Sequence, residues 1–141
     1  MKNIMKYNIE DCKIVNLDKI NNRKGNITIV ESGVIEDIDI KRVYYLYDVP
    51  SGESRGGHAH KELRQIIAAT SGSFNVILDD GKSKKNFHLN RPDHGLIIVP
   101  GIWREIYNFS SGSVCLVLAS EVYKKEDYIS SYLEFKEFVK L

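Results

Sequence analysis

Short β-type segments separated by turn residues are the feature that most limits how this chain can fold. Phe74, Val76 and Leu78 alternate with Asn75 and Ile77, and the strand formers of residues 86–89 follow the turn dipeptide Asp80-Gly81. Further segments of this kind are residues 12–17, 27–31, 41–48, 66–70, 96–99, 103–109 and 114–119. A spacing of roughly ten residues with turn chemistry between strands is typical of an antiparallel sandwich or barrel. The sequence therefore predicts an all-β fold, with a two-residue hairpin turn at Asp80-Gly81.

The C-terminal segment follows a different period. One helical face would carry Tyr128, Tyr132, Phe135 and Val139. Acidic residues at positions 126 and 127 suit the electropositive start of a helix. We therefore expect one amphipathic helix over residues 126–140, a frayed segment over residues 1–6, and a single domain over residues 1–141.

Charge and cysteine content limit the compartment and the partners. The formal net charge of the 141 residues is +1, which argues against bare nucleic acid or an anionic membrane surface as the partner. Cys12 and Cys115 are far apart and lack metal-ligand spacing, so free thiols in a reducing compartment are expected. The N-terminus lacks the apolar run of a signal peptide, and no stretch is long enough to span a bilayer. These features predict a cytoplasmic protein.

Two histidines stand out inside one predicted strand. His58 and His60 follow Gly56-Gly57 and precede a β-type run. Because side chains alternate along a strand, both imidazoles should lie next to each other on one face. Such a pair can bind a metal or can move protons near neutral pH.

The segment around these histidines resembles the first motif of the cupin fold, a double-stranded β-helix or jelly-roll-like antiparallel barrel. Its places are filled by Gly56, His58, His60, Gln65 and Gly72, and those of the second cupin motif by Gly95, Pro100, Arg104 and Asn108. Metal-binding cupins have Glu and a third His where this chain has Gln65 and Arg104. A neutral amide is a poor ligand for a transition metal, and a guanidinium cannot be one. The resemblance thus predicts an all-β cupin barrel with one C-terminal α-helix, without a metal site.

A closer resemblance is to the nucleotide-sugar 3,4-ketoisomerases, a metal-free cupin family. The matching blocks are residues 41–45, 55–61, 95–96, 103–105, 117–120 and 127–129. This resemblance implies that a dTDP-linked 4-keto-6-deoxyhexose becomes its 3-keto isomer in amino-deoxysugar synthesis for bacterial surface polysaccharides. It also implies a homodimer that uses no cofactor and exchanges or extends sheets between subunits, with Ile27 and Ile29 at an apolar strand edge.

The family analogy gives roles to individual residues. His60 is the expected base at C3 of the sugar, and His58 assists proton delivery to C4 or to the oxygens, although the sequence does not order the two. Arg104 should point into the barrel and contact the substrate, or else form an ion pair with Glu105 or another carboxylate. The other expected substrate contacts are Arg42, Arg55, Lys24, Tyr44, Gln65 and Asn108.

Product stereochemistry depends on two further positions in this family. The residue before an early glycine, here Lys24, and the residue after the tryptophan, here Arg104, differ between members that form gluco and galacto products. Arg104 resembles the gluco-forming members, whereas Lys24 matches neither type. We expect the 3-keto-6-deoxyglucose product.

Three other functions remain open at this stage. A cupin 3,5-epimerase acts on the same substrate, but it depends on a His–Asp pair and a catalytic tyrosine that the spacing here does not indicate. A non-catalytic sugar-binding cupin would leave the paired histidines without a purpose, and a metal-dependent cupin dioxygenase would need further ligands.

Overall fold

The computed structural model describes residues 6–140, in which the chain forms twelve β-strands and one α-helix. The strands are β1 (Lys13–Asn16), β2 (Asp18–Ile20), β3 (Ile27–Ile29), β4 (Arg42–Leu46), β5 (Arg55–His60), β6 (Gln65–Ser71), β7 (Phe74–Asp79), β8 (Lys84–Leu89), β9 (His94–Ile98), β10 (Trp103–Tyr107), β11 (Val114–Ala119) and β12 (Tyr128–Ile129). Helix α1 is Tyr132–Lys140. The expected fraying of residues 1–6 falls, except at Lys6, outside the described residues.

Two antiparallel five-stranded sheets form the barrel. One has the strand order β1-β9-β6-β11-β4 and the other β12-β5-β10-β7-β8, while β2 and β3 form a separate hairpin. This arrangement confirms the predicted all-β cupin fold with one C-terminal helix.

Apolar side chains that alternate along the strands pack between the two sheets and form the core of the barrel. Phe74, Val76 and Leu78 are all fully buried, as the alternation along β7 predicted, and β9 contributes Leu96 and Ile98. Burying such side chains contributes roughly 1.5–3 kcal/mol each. Because this packing fills one part of the barrel, the polar inward side chains of β4, β5 and β10 are left to line a cavity.

The C-terminal helix is shorter than expected. A 3₁₀ turn at Lys125–Asp127 and strand β12 precede it, and α1 begins only at Tyr132. Tyr128 pairs with His60 on β5 and Ile129 pairs with Ala59, so strand pairing overrides the helical period at its first position. Phe135 is fully buried in a small cluster with Trp103, as the stripe predicted.

The hairpin turn between β7 and β8 lies one residue later in the chain than the sequence predicted. The backbone N–H of Asp80 donates to the carbonyl oxygen of Ser83, so the turn lies at residues 81–82 rather than at Asp80-Gly81.

Within residues 6–140, no helix has the length and apolar character needed to cross a membrane.

Candidate active site

A cavity of about 360 Å³ opens between the two sheets, a volume typical of small-molecule sites. Its polar and charged lining consists of Arg42, Tyr44, Arg55, His58, Gln65, Arg104 and Tyr128. Its apolar wall consists of Leu46, Ile67, Ile106 and Val117. These side chains come from six strands, β4, β5, β6, β10, β11 and β12. The barrel therefore fixes their positions.

Strand β5 presents its side chains through a β-bulge. Arg104 on β10 pairs with His58, whereas Ile106 pairs with Arg55, so one more residue lies on β5 than on β10 between these pairs. Gly56 provides the bend with φ of 80°, a conformation that glycine adopts without strain. The extra residue shifts the alternation, and Arg55 and His58 consequently both line the cavity.

The two histidines are neighbours, as the period of two predicted. Their ring centroids are 4.8 Å apart with the rings nearly perpendicular. His58 lines the cavity, whereas His60 is fully buried and does not belong to the lining. The Nε2 atoms of both are buried and have no hydrogen-bond partner within residues 6–140.

Two residues that the sequence reasoning did not assign complete this cluster. Asp127 Oδ2 lies 2.9 Å from Nδ1 of His60, so the structure contains a His–Asp pair that the spacing in the sequence did not indicate. The ring of Tyr128 packs 4.4 Å from that of His60 and 5.2 Å from that of His58. The only signal for them was the block 127–129 of the family resemblance, because the pair joins residues 67 positions apart.

Arg104 points into the barrel and is almost completely buried, with an exposed fraction of 1%. It donates from Nη1 to Oε1 of Gln65 and from Nη2 to the carbonyl oxygen of Ile102 at 3.1 Å. Its Nε is buried without a partner, and no ion pair joins its guanidinium to a carboxylate of residues 6–140. The alternative of an ion pair with Glu105 is therefore excluded in this structure. A buried cation without a counter-ion is costly, which fits a site that receives an anion.

The other cavity arginines lie nearer the surface. Arg42 Nη2 donates to the hydroxyl of Tyr128 at 3.3 Å, and its guanidinium lies over the rings of Tyr44 and Tyr123 at 5.3 and 5.7 Å. Arg55 is exposed at the cavity wall. Gln65 Nε2 donates to the Tyr44 hydroxyl at 3.0 Å, so Tyr44, Gln65 and Arg104 form one hydrogen-bonded chain.

The structure does not bring two of the expected site residues to this cavity. Lys24 lies in the exposed turn between β2 and β3, where its backbone N–H donates to Oδ1 of Asn22. Asn108, with φ of 59°, donates from Nδ2 to Oδ1 of Asn75 on the outer face. Asn108 occupies its motif position, but the left-handed backbone at the end of β10 turns it away.

Burial and positive charge set the protonation of the cluster. Burial, followed by the charge of Arg104, lowers the pKa of both His58 and His60 to about 3. Burial also lowers the pKa of Arg104 to about 10, which leaves the guanidinium charged at neutral pH. The site therefore combines two neutral imidazoles with a buried cation.

Metal ligation has little support in the donor set. Within residues 6–140, no three His, Cys, Asp or Glu side chains are grouped so that they could hold a metal ion. Gln65 and Arg104 occupy the positions where additional ligands would stand, and they bond to each other.

Comparison with known proteins identifies close relatives. The sequence model of the FdtA family (WxcM-like, C-terminal) matches residues 10–140. The TDP-4-oxo-6-deoxy-α-D-glucose-3,4-oxoisomerase of Aneurinibacillus thermoaerophilus is 41% identical over 127 residues, which cover 90% of this chain and 91% of that protein.

Solved structures of 3,4-ketoisomerases are also similar to this chain in sequence and fold. The TDP-quinovose 3,4-ketoisomerase of Campylobacter jejuni is 45% identical, with a TM-score of 0.86 and coverage of 92% of this chain and 99% of that one. A His-to-Asn variant of the 3,4-ketoisomerase of Thermoanaerobacterium thermosaccharolyticum, in complex with TDP-4-keto-6-deoxyglucose, is 36% identical. Its TM-score is 0.91, with coverage of 94% of this chain and 96% of that one.

The fold, the cavity and these similarities define a cupin-fold isomerase of the 3,4-ketoisomerase class. The chain belongs to the FdtA family.

Proposed function

We propose that this protein converts dTDP-4-keto-6-deoxyglucose into its 3-keto isomer by histidine acid–base catalysis through an enediol(ate), in the synthesis of an amino-deoxysugar. The observation that carries the proposal is the pair of adjacent, neutral imidazoles, His58 at the cavity wall and His60 fully buried, beside the buried guanidinium of Arg104. The substrate assignment is supported by the relatives that act on or bind this TDP-sugar.

The reaction moves protons without net gain or loss. A base removes the proton from C3, and the carbonyl at C4 becomes an enediolate oxygen. A proton is then delivered to C4, while the C3 hydroxyl loses its proton and the C4 oxygen gains one. Proton transfer by a positioned side chain contributes roughly 10²–10⁴-fold to such a rate.

The position of the cavity changes the catalytic roles that we assign to the two histidines. The family analogy assigned the base at C3 to His60, although the sequence did not order the two histidines, and His58 is the imidazole that lines the cavity. We therefore assign contact with the C3 proton to His58, and we assign His60, directly beside it, as the second acid–base group. His60 then takes up and returns a proton during the transfer.

Positive charge is distributed along the path of the substrate. Arg104 is placed to stabilise the enediolate oxygen, because a fixed buried cation acts strongly where negative charge develops. Arg42 and Arg55, nearer the surface, are the proposed contacts for the diphosphate. Tyr44 and Gln65 complete the lining as hydrogen-bonding groups. Anions bound at the arginines would raise the low pKa of the histidines toward the working pH.

The test is incubation with dTDP-4-keto-6-deoxyglucose and location of the product carbonyl by NMR. We expect the carbonyl at C3, and a loss of about 100-fold or more for His58→Asn and for His60→Asn. His88→Asn, on an exposed histidine, is the matched control and should retain full activity. Full activity in the His58→Asn and His60→Asn proteins would refute the mechanism.

Epimerisation at C3 and C5 is the second candidate. It is favoured by one observation, the His60–Asp127 pair with Tyr128 against it. The same incubation separates the two reactions, since an epimerase leaves the carbonyl at C4.

The gluco configuration remains our proposal for the product. It rests on Arg104 and is supported by the 45% identity to the TDP-quinovose enzyme, since quinovose is 6-deoxyglucose. The coupling pattern of the proton at C4 decides between gluco and galacto products. If Lys24 influences this outcome, as the family comparison suggested, Lys24→Ala should change the ratio of the two products without abolishing turnover.

We also propose that the protein is a cytoplasmic homodimer without a cofactor. Strand β4 is the edge of its sheet, and its outward side chains Val43 and Tyr45 are 56% and 59% exposed. Ile20 and Ile27 on the β2–β3 hairpin are 53% and 59% exposed. Contact with a second subunit would cover these apolar side chains and the strand edge. Ile27→Glu should produce a monomer in light scattering, with Lys84→Glu on exposed β8 as control.

A further inference from the structure

Asp127 is held at four points. Its backbone N–H donates to the carbonyl oxygen of Lys124 at 3.1 Å, and its own carbonyl oxygen accepts from the N–H of Lys61 at 3.0 Å. Its side-chain Oδ1 accepts from the backbone N–H of Glu62 at 2.8 Å, and Oδ2 lies 2.9 Å from Nδ1 of His60. Because backbone and carboxylate are both fixed, Oδ2 cannot move away from the imidazole without breaking another bond.

This arrangement determines which nitrogen of His60 carries hydrogen. A neutral imidazole has one N–H, and an ionised carboxylate can only accept. The bond to Asp127 therefore requires the hydrogen on Nδ1 and leaves the lone pair on Nε2. Nε2 is buried and has no partner within residues 6–140, although leaving a buried polar atom unsatisfied destabilises a fold.

We propose that Asp127 is a positioning residue for catalysis, which holds His60 in the Nδ1–H tautomer and so keeps Nε2 free to accept a proton during turnover. This inference rests on the proposed function of His60. A purely structural bond is the alternative, but β12 pairing and the Glu62 bond already anchor this segment. A structural histidine would also be expected to have both ring nitrogens satisfied.

The variant Asp127→Asn changes the tautomer with almost no change in shape. Its amide oxygen can keep the bond from the Glu62 N–H, which turns the NH₂ group toward Nδ1 of His60. That nitrogen must then accept, so the hydrogen moves to Nε2 and the proton acceptor is lost. A triad aspartate replaced by asparagine lowers kcat about 10⁴-fold elsewhere through a wrong tautomer.

The first measurement is the tautomer of His60 by ¹⁵N–¹H correlation on histidine-labelled protein. We expect Nδ1–H in the unmodified protein and Nε2–H in Asp127→Asn, assigned by the signal that disappears in His60→Asn. An Nε2–H tautomer in the unmodified protein overturns the proposal, and this result needs no variant of Asp127.

The second measurement is steady-state kinetics. We expect kcat of Asp127→Asn to fall about 100-fold or more with KM within about threefold, since the group acts through His60 rather than on binding. Adding Asp127→Asn to His60→Asn should cause no further loss. Glu126→Gln, which removes the adjacent exposed carboxylate, should stay within about twofold of the unmodified enzyme. An unchanged kcat in a folded Asp127→Asn protein overturns the proposal.

The tautomer measurement is independent of the proposed reaction, whereas the kinetic measurement requires it. If the unmodified protein fails to isomerise the substrate, the function is wrong, while the tautomer measurement still decides what Asp127 does to His60.

Discussion

The buried histidine pair should make folding stability fall steeply on mild acidification. The pKa of His58 and of His60 is lowered from 6.5 to about 3 by burial and by Arg104, so the folded protein keeps both neutral at pH 5. The unfolded chain binds protons on both histidines below pH 6.5. Unfolding is therefore favoured as the pH falls through this range, and the stability is fully present only above it.

The expected loss follows from this difference in proton uptake. At pH 5, unfolding takes up almost two protons, which gives a slope of about 2.6 kcal/mol per pH unit. Integrated from pH 7 to pH 5, the loss is about 2 kcal/mol per histidine, or about 4 kcal/mol together. That is a large share of the 5–15 kcal/mol typical of a domain. The carboxylate of Asp93, whose pKa is lowered to about 2 chiefly by the bond from Arg91, contributes little to this loss, because its own stabilisation is lost only as the pH falls through the ordinary aspartate range and below.

Urea unfolding at fixed protein concentration between pH 7 and pH 5 measures this loss. His58→Asn and His60→Asn should each reduce it to about half, whereas His88→Asn on the exposed surface should leave it unchanged. A loss below about 1 kcal/mol in the unmodified protein, or one that neither variant reduces, would refute the assignment of two buried neutral imidazoles.

Three further predictions concern the site. Arg104→Gln should lower kcat about 100-fold or more, because the enediolate loses its buried cation. The affinity for TDP, measured by calorimetry, should change less than tenfold. A larger loss of affinity than of kcat would contradict the placement of Arg104 at the sugar. The value of kcat/KM should change less than about twofold between pH 8 and pH 5.5, whereas a histidine base of pKa 6.5 would lose about tenfold. Dialysis against a strong chelator should leave activity unchanged, and activity restored only by a divalent ion would instead indicate a metal-dependent cupin.

Strands were the most predictable part of this fold. The alternation at Phe74, Val76 and Leu78 is a local property, and the structure buries all three. Tyr128 shows the limit of periodicity. It fits a helical stripe that is correct for Phe135, but its pairing with His60 joins residues far apart in the chain. A two-residue strand has no pattern of its own, so only the tertiary structure distinguishes it from a helix start.

The site residues also divide into those that the sequence predicted and those that only the tertiary structure brings together. His58 and His60 follow from the period of two, and Arg104 follows from its place in the second cupin motif, where metal-binding cupins have a histidine. Asp127 was visible as an acidic residue suited to a helix start and as part of the block 127–129 of the family resemblance, and neither signal gave it a role in the site. Its partner in space, His60, could not be inferred from spacing. Asn108 fits its motif position, yet a left-handed backbone conformation directs it to Asn75 instead.

In the proposed reaction, the histidine pair transfers a proton between C3 and C4 of the sugar. The most direct measurement is turnover of dTDP-4-keto-6-deoxyglucose in deuterium oxide, with the label located by NMR. We expect a product with its carbonyl at C3 and solvent deuterium at C4. A product that keeps its carbonyl at C4 and carries deuterium at C3 or C5 would contradict it.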